Sequence, residues 1–293
     1  MRVVKERANA KINLHLDVIS RRDDGFHDIQ TVMHSVSLAD ELTVTYTPSN
    51  ETNVKMHING NKFLPTDDKN LAVRAATCYL NAACKTANID IKLNKKIPVS
   101  AGLAGGSSDA AATLRAMNRL FGKMFSESAL FEMAAALGSD VPYCLYGKTA
   151  LCEGRGEIIT KLPDTLKLCL VVAISNERVS TPSAYSTLDE IYSYFDGSVK
   201  TGGDTYFSGL ISSIKGGGLV PEKLFNVFEM AIFPKCPGAK SIKEKLLSLG
   251  ARCALMSGSG PSVFGVFKSI EEAERARISL LSEGISAYTA TTV

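Results

Sequence analysis

The chain has 293 residues, 45% of them hydrophobic and 22% charged, and a formal net charge of +3. That length suits two ordinary domains, the balance excludes a disordered chain, and the weak positive charge gives no ground for a general nucleic-acid binder. The 7 cysteines include no C-x-x-C pair, which argues against a zinc site or a disulfide framework and for a reducing compartment. Residues 1–7 lack the apolar core of a signal peptide. The strongest apolar run, residues 168–174, is far shorter than the roughly 20 residues that span a bilayer. A cytoplasmic protein without a membrane partner is expected.

Residues 10–18 place Ile12, Leu14, Leu16 and Val18 on one side at period two, the pattern of a half-buried strand. Lys11, Asn13, His15 and Asp17 take the other side. Two readings stay open for that side: a solvated face, or Lys11 and Asn13 pointing into a pocket. Asp24-Gly25 marks a turn. Strands are predicted over 29–36, 42–46 and 54–58, with Asn59-Gly60 as a further turn.

A helix opens at Asn70-Leu71, with Leu71, Ala75, Cys78 and Tyr79 as its apolar stripe. Ile89, Ile91 and Leu93 form a strand that feeds the run PVSAGLAGGSSD at residues 98–109. A helix follows with Leu114, Met117, Leu120 and Phe121 on one side and Gly122 at its end. The next helix runs from Ser126 to Leu137-Gly138. Residues 139–143 read as a turn into a strand at 144–146, and 148–153 as another strand. Gly154-Arg155-Gly156 reads as a hinge, which sets expected domains of 1–155 and 156–293.

In the second half, residues 167–174 read as a buried strand, and Thr181-Pro182 starts a helix with proline in its first turn. Residues 196–218, rich in glycine and serine, read as a flexible connection. Helices over 226–231 and 239–249, a strand–turn–strand around Ser257-Gly258-Ser259-Gly260-Pro261, a helix over 270–283 and a strand over 285–291 complete an α+β half.

The glycine run matches neither a Walker loop, which requires Gly-Lys-Ser/Thr, nor the G-x-G-x-x-G dinucleotide pattern. Its physics still suits an anion. Small residues let backbone N–H groups approach phosphate, and the following helix adds partial positive charge at its N-terminus. Ser107 and Ser108 offer hydroxyls to phosphate or to a bound magnesium. A tight strand–helix connection is the other reading of the same residues.

Three segments stand together in order. Residues 98–112 (PVSAGLAGGSSDAAA) resemble the phosphate loop of the GHMP kinases, 8–16 (ANAKINLHL) their N-terminal motif, and 255–267 (LMSGSGPSVFGVF) their C-terminal glycine motif. The resemblance covers nearly the whole chain. RRDDGFHDIQTVMHSVSLADEL, DKNLAVRAA and GSDVPYCLYGKTALCEGRGE resemble the branch that uses ATP to phosphorylate a hydroxyl of a cytidine-diphosphate-linked methylerythritol, on the non-mevalonate route to isoprenoid precursors. The resemblance implies an α+β, two-domain GHMP kinase fold, with an N-terminal ribosomal protein S5-like α/β domain and a C-terminal ferredoxin-like domain.

It also implies roles. Asp140 is the catalytic base and Lys11 its partner: a carboxylate takes the proton of an attacking alcohol, and an ammonium keeps it ionised and meets phosphoryl charge. Taken alone, Asp140 reads as a turn residue after a helix. Pro98, Gly102, Leu103, Ala104, Gly105, Gly106, Ser107 and Ser108 hold the ATP phosphates together with Mg2+, with no cluster of protein metal ligands. Asn70, Leu71 and Lys95 lie around the adenosine, although Asn70 also reads as a helix cap and Lys95 as a solvated charge. Asn13 contacts substrate. Phe26, His27 and Tyr185 form the cytidine end, where two rings sandwich a pyrimidine; phenylalanine at 26 replaces the family's usual tyrosine. Thr181 places the methylerythritol, and Gly258, Ser259 and Gly260 support its diphosphate.

Two other functions remain in view. A homoserine or mevalonate kinase of the same superfamily has no base to stack, against Gly25-Phe26-His27 and Tyr185. A non-catalytic nucleic-acid module conflicts with the weak charge and the Lys11/Asp140 combination. The oligomeric state stays open between a monomer and a weak homodimer.

Overall fold

A computed structural model describes residues 1–194 and 203–293 of the chain. They divide into two compact units. Unit 1 is Met1–Ala10, Leu38–Val99 and Ala104–Gly147; unit 2 is Lys11–Ser37, Ser100–Leu103 and Lys148–Val293. Two long strands, β1 (Arg2–Arg21) and β2 (His27–Pro48), contribute residues to both. The two strands predicted over 29–36 and 42–46 are therefore one: no glycine or proline interrupts 37–41, and Asp40 is used as a buried side chain rather than in a turn.

Unit 1 adds β3 (Asn53–Asn59), α1 (Leu71–Ala82), β4 (Ala87–Asn94), α2 (Gly105–Leu120), α3 (Glu127–Leu137) and α4 (Val141–Tyr146). β3 and β4 are parallel, as a strand–helix–strand crossover through α1 requires, and β4 runs antiparallel to β2. Val44, Ile89, Ile91 and Leu93 face Tyr79, Leu80, Leu114 and Met117 in one core. Each fully buried side chain of this size contributes about 1.5–3 kcal/mol. The strand predicted over 144–146 is the last turn of α4. Pro142 occupies the first turn of that helix, where its missing N–H costs nothing.

Unit 2 carries β5 (Thr149–Glu153) and β6 (Ile158–Lys161), then β7 (Cys169–Ile174), α5 (Thr181–Tyr194), α6 (Gly203–Lys215), a 3-10 turn at Pro221–Lys223, β8 (Phe225–Asn226) and α7 (Phe228–Ile232). It ends with α8 (Pro237–Ser248), β9 (Cys253–Met256), β10 (Ser262–Phe267), α9 (Ile270–Ser282) and β11 (Ser286–Thr291). The strand order β11-β7-β10-β9 is antiparallel throughout. With α8 and α9 against it, this is the fourth-first-third-second order of a ferredoxin-like sheet. Its core joins Val171, Ala173, Val263 and Phe267 to Leu246 and Leu280.

Two expectations change here. Gly154-Arg155-Gly156 is the turn of the β5–β6 hairpin rather than a hinge: Glu153 pairs with Ile158, and both glycines have positive φ (+67° and +112°). Of the glycine- and serine-rich stretch 196–218, residues 196–202 lie outside the described residues, while Gly203–Lys215 is helical. Leu210 and Ile214 anchor that helix, fully buried at i and i+4. Among the described residues no helix is long and apolar enough to cross a membrane.

Candidate active site

The polar side of β1 is not solvated. Lys11, Asn13, His15 and Asp17 are each at most 4% exposed, so the solvated reading falls and this side of the strand is buried. Burial of a lysine demands hydrogen bonds, and Lys11 Nζ donates to Asn13 Oδ1 at 2.7 Å. The same oxygen accepts the Gly258 N–H at 2.9 Å, while Asn13 Nδ2 donates to Thr31 Oγ1 at 2.8 Å. Thr31 Oγ1 in turn donates a hydrogen bond to the His15 carbonyl oxygen. This network assigns the amide's orientation.

The backbone around Gly258 is fastened from both sides. Asn226 Nδ2 donates to the carbonyls of Met256 (2.7 Å) and Gly258 (2.8 Å). Ser257 Oγ donates to the Gly102 carbonyl at 3.1 Å, and the Lys11 N–H to that of Leu103 at 3.2 Å. Gly102 has φ +74°, and a Cβ there would lie 2.2 Å from the Ser257 carbonyl oxygen, so no other residue fits. Gly258, at φ +58°, would bring a Cβ to 3.4 Å from Lys11 Nζ. Lys11, Asn13, Gly102, Leu103 and Gly258 are thus assembled within unit 2, where Thr181 Oγ1 and Ser259 Oγ also meet at 2.9 Å.

His15 stands beside this cluster. Both its ring nitrogens are buried without a hydrogen bond, it packs between Phe207 and Phe225, and burial pushes its pKa down to about 4.

In unit 1, α2 begins after Ala104, which adopts the left-handed conformation (φ 56°, ψ 31°) and has no side-chain cap. The first N–H groups of any helix lack intrahelical partners, so a helix start of small residues suits an anion. Gly106 is exposed and Ser107 half-buried. Ser108 is spent otherwise: it is buried, and its hydroxyl donates to the Asn9 carbonyl.

Lys95 lies under this helix start, where a Cβ on Gly105 would come within 2.9 Å of Nζ. The ammonium meets Asp40 Oδ2 at 2.5 Å and Asp109 Oδ2 at 2.7 Å, and all three side chains are at most 5% exposed. The solvated reading of Lys95 is therefore replaced by a buried ion cluster. Asp40 Oδ1 further accepts the N–H groups of Lys96 and Ile97. Asp109 is pushed up to about 8, first by burial and also by the Asp40 charge, against the pull of Lys95. Its Oδ1 has no partner among the described residues.

Asn70 caps α1, its side chain accepting the Ala72 N–H at 3.0 Å, and Leu71 begins that helix beside Gly106. Asp140 stands at the N-cap of α4, half-buried, with its carbonyl taking the Cys144 N–H. Pro98, also in unit 1, is half-buried before the glycine run.

The aromatic residues of unit 2 are arranged differently from a plain sandwich. Phe26 is half exposed, its N–H held by Asp24, and carries the Arg155 guanidinium 5.0 Å from its ring centre. His27 is buried and stacks on Tyr185 at 4.6 Å, while Tyr185 sets its edge against Phe228. His27 Nε2 lies 2.7 Å from Asp189 Oδ1. Sequence reasoning missed Asp40, Asp109, Asn226 and Asp189. Of these only Asp189 carried a local signal, four residues after Tyr185 on a predicted helix.

Comparison with known proteins identifies the family. Residues 70–148 match the GHMP kinases N terminal domain and residues 216–285 the GHMP kinases C terminal domain. A 4-diphosphocytidyl-2-C-methyl-D-erythritol kinase of Lachnospira eligens is 42% identical over 269 residues, covering 91% of this chain and 90% of its own. A crystal structure of a 4-(cytidine 5'-diphospho)-2C-methyl-D-erythritol kinase superposes with a TM-score of 0.80 at 32% identity over 99% of both chains. A homoserine kinase from Cytophaga hutchinsonii shares the fold (TM-score 0.77, 22% identity, 100% of this chain and 95% of its own).

Proposed function

Since the chain belongs to the GHMP kinases, in their 4-diphosphocytidyl-2-C-methyl-D-erythritol kinase branch, we propose that it transfers the γ-phosphoryl group of ATP to a hydroxyl of 4-diphosphocytidyl-2-C-methyl-D-erythritol. The reading rests above all on 42% identity across nine-tenths of the chain. The homoserine kinase likeness concerns the fold alone.

In this reading Asp140 accepts the acceptor's hydroxyl proton as the new P–O bond forms, and Lys11 meets phosphoryl charge. Asn13 orients Lys11 through Oδ1 and ties it to Gly258. The residues from Gly102 to Ser107 hold phosphate with backbone N–H groups and the Ser107 hydroxyl, and Ser108 fixes the helix start. Asn70 and Leu71 border the adenosine, while Lys95 supports the loop from beneath. Phe26, His27 and Tyr185 take the cytosine, Thr181 places the methylerythritol, and Gly258, Ser259 and Gly260 support the diphosphate. ATP then belongs mainly to residues 1–155, and 156–293 complete the acceptor side.

Among the described residues no three His, Cys, Asp or Glu side chains group as metal ligands. Mg2+ commonly keeps its waters and binds through phosphate with few protein oxygens; the Ser107 hydroxyl would supply one here. When bound, Mg2+ neutralises phosphate charge. We place the enzyme in the cytoplasm beside its small-molecule substrates.

ADP release with 4-diphosphocytidyl-2-C-methyl-D-erythritol, homoserine and mevalonate as acceptors tests this directly. Turnover is expected on the first alone; turnover on either of the others instead overturns the assignment. Asp140→Ala is expected to lower kcat by about 10²–10⁴-fold with the fold retained, and a near-normal rate would remove Asp140 as the base.

A further inference from the structure

Tyr185 and Asp189 are four residues apart on α5 and share one side of it. Both engage His27. Tyr185 stacks on the imidazole with an interplanar angle of 25° and fixes its plane. Asp189 Oδ1, 2.7 Å from Nε2, fixes its edge. An ionised carboxylate only accepts, so the proton between them sits on Nε2. Arg21 Nη1 lies 3.7 Å from Asp189 Oδ2. In the neutral ring Nδ1 then carries a lone pair, and it makes no hydrogen bond among the described residues. With its side chain only 8% exposed, His27 has little room to turn.

We propose that Asp189 is a positioning residue that holds His27 in the Nε2–H tautomer, so that Nδ1 accepts a hydrogen bond from the exocyclic amine of cytosine and disfavours uracil. This rests on the reading of the acceptor as a cytidine nucleotide. Cytosine offers an N–H donor at its fourth ring position, where uracil carries a carbonyl oxygen. In the same pose that carbonyl faces the Nδ1 lone pair and is repelled. With Asp189 removed, the imidazole is free to carry its proton on either nitrogen, and the discrimination fades.

The test uses the full chain as wild type, Asp189→Ala and Asp189→Asn. Calorimetry measures CDP and UDP binding, steady-state kinetics the KM for ATP, and 15N NMR the His27 tautomer. The wild type is expected to prefer CDP and to show the Nε2–H form. Asp189→Ala is expected to weaken CDP binding about tenfold, the scale of one lost hydrogen bond. UDP binding and the KM for ATP change less than about twofold, and the NMR signal moves to a tautomer mixture. Asp189→Asn, whose amide oxygen still accepts from Nε2, keeps most of the preference. An Nδ1–H tautomer in the wild type, an unchanged CDP preference in Asp189→Ala, or equal losses for both nucleotides would each overturn the proposal. Should the wild type fail to phosphorylate the cytidylylated acceptor while these nucleotide effects hold, the kinase reading falls and the role of Asp189 stands.

Discussion

The two units each bury a lysine, and they treat it differently. Lys95 in unit 1 is locked between the Asp40 carboxylate and the carboxyl group of Asp109, and lies beneath a helix start. Lys11 in unit 2 donates to an amide oxygen that also accepts the Gly258 N–H. A lysine consumed by ion pairs holds architecture together. One placed beside backbone N–H groups and positive-φ glycines is set up to act on an anion.

The sharpest way to break this contrast is to remove each ammonium. Lys11→Met is expected to lower kcat by about 10²–10⁴-fold with little change in Tm. Lys95→Met is expected to cost about 3–5 kcal/mol of unfolding free energy, because it leaves the buried Asp40 carboxylate without its cation; denaturant titration measures it. If Lys95→Met proved as stable as wild type but lost ATP affinity, the contrast would collapse.

A smaller effect lies in the pH dependence. Asp109 is raised in the fold to about 8 from an ordinary 3.8. The folded state therefore holds the extra proton, and this contribution is complete below the unfolded pKa and lost as pH rises through about 8. His15, lowered to about 4, works in the opposite sense: its contribution is present above its ordinary 6.5 and is lost as pH falls through about 4. The two oppose each other between pH 4 and 6.5, so the window from 6.5 to 8 reports Asp109. Unfolding free energy is expected to drop by about 1–2 kcal/mol across it, and Asp109→Asn should flatten that slope. A wild-type curve already flat there would remove the claim.

The smallest effect is at Gly258. Alanine there must hold φ +58° and place its Cβ 3.1 Å from the Gly102 carbonyl oxygen. The left-handed conformation costs about 1–2 kcal/mol, and the displaced backbone is expected to raise the acceptor KM several-fold. An unchanged KM would show that the Asn13–Gly258 bond is dispensable.

Much of the fold was legible in short-range pattern. Period-two runs located β1, β3 and β4, and the apolar stripes of α1 and α2 located those helices. Asn70 and Ser126 cap helices as their residue types predict. The misses have local causes. Composition hid α6, because its glycines and serines obscured the helical spacing of Leu210 and Ile214. A three-residue apolar window at 144–146 was too short to distinguish a strand from the end of α4.

The candidate site was legible where residue types sit inside a recognisable motif, as with Lys11, Gly102 and Gly258. It was not legible where a partner lies far along the chain. Asn13 meets Gly258 across 245 positions and Lys95 meets Asp40 across 55, and neither separation has a periodic signature. Burial of both sides of β1 follows from those distant partners, which is why alternation alone left the Lys11 side open.

The chain order of the two units also has a consequence for synthesis. All of unit 1 has been made once Gly147 is added, so its core has every residue it needs while the remainder is still on the ribosome. Residues Lys11–Ser37 have no such early completion. Their partners in β5 and β8 come later, and the ferredoxin-like sheet closes only when β11 pairs with β7. The nascent chain therefore carries unpaired strand edges from its first forty residues for most of its synthesis, and those edges are where chaperones are expected to engage it.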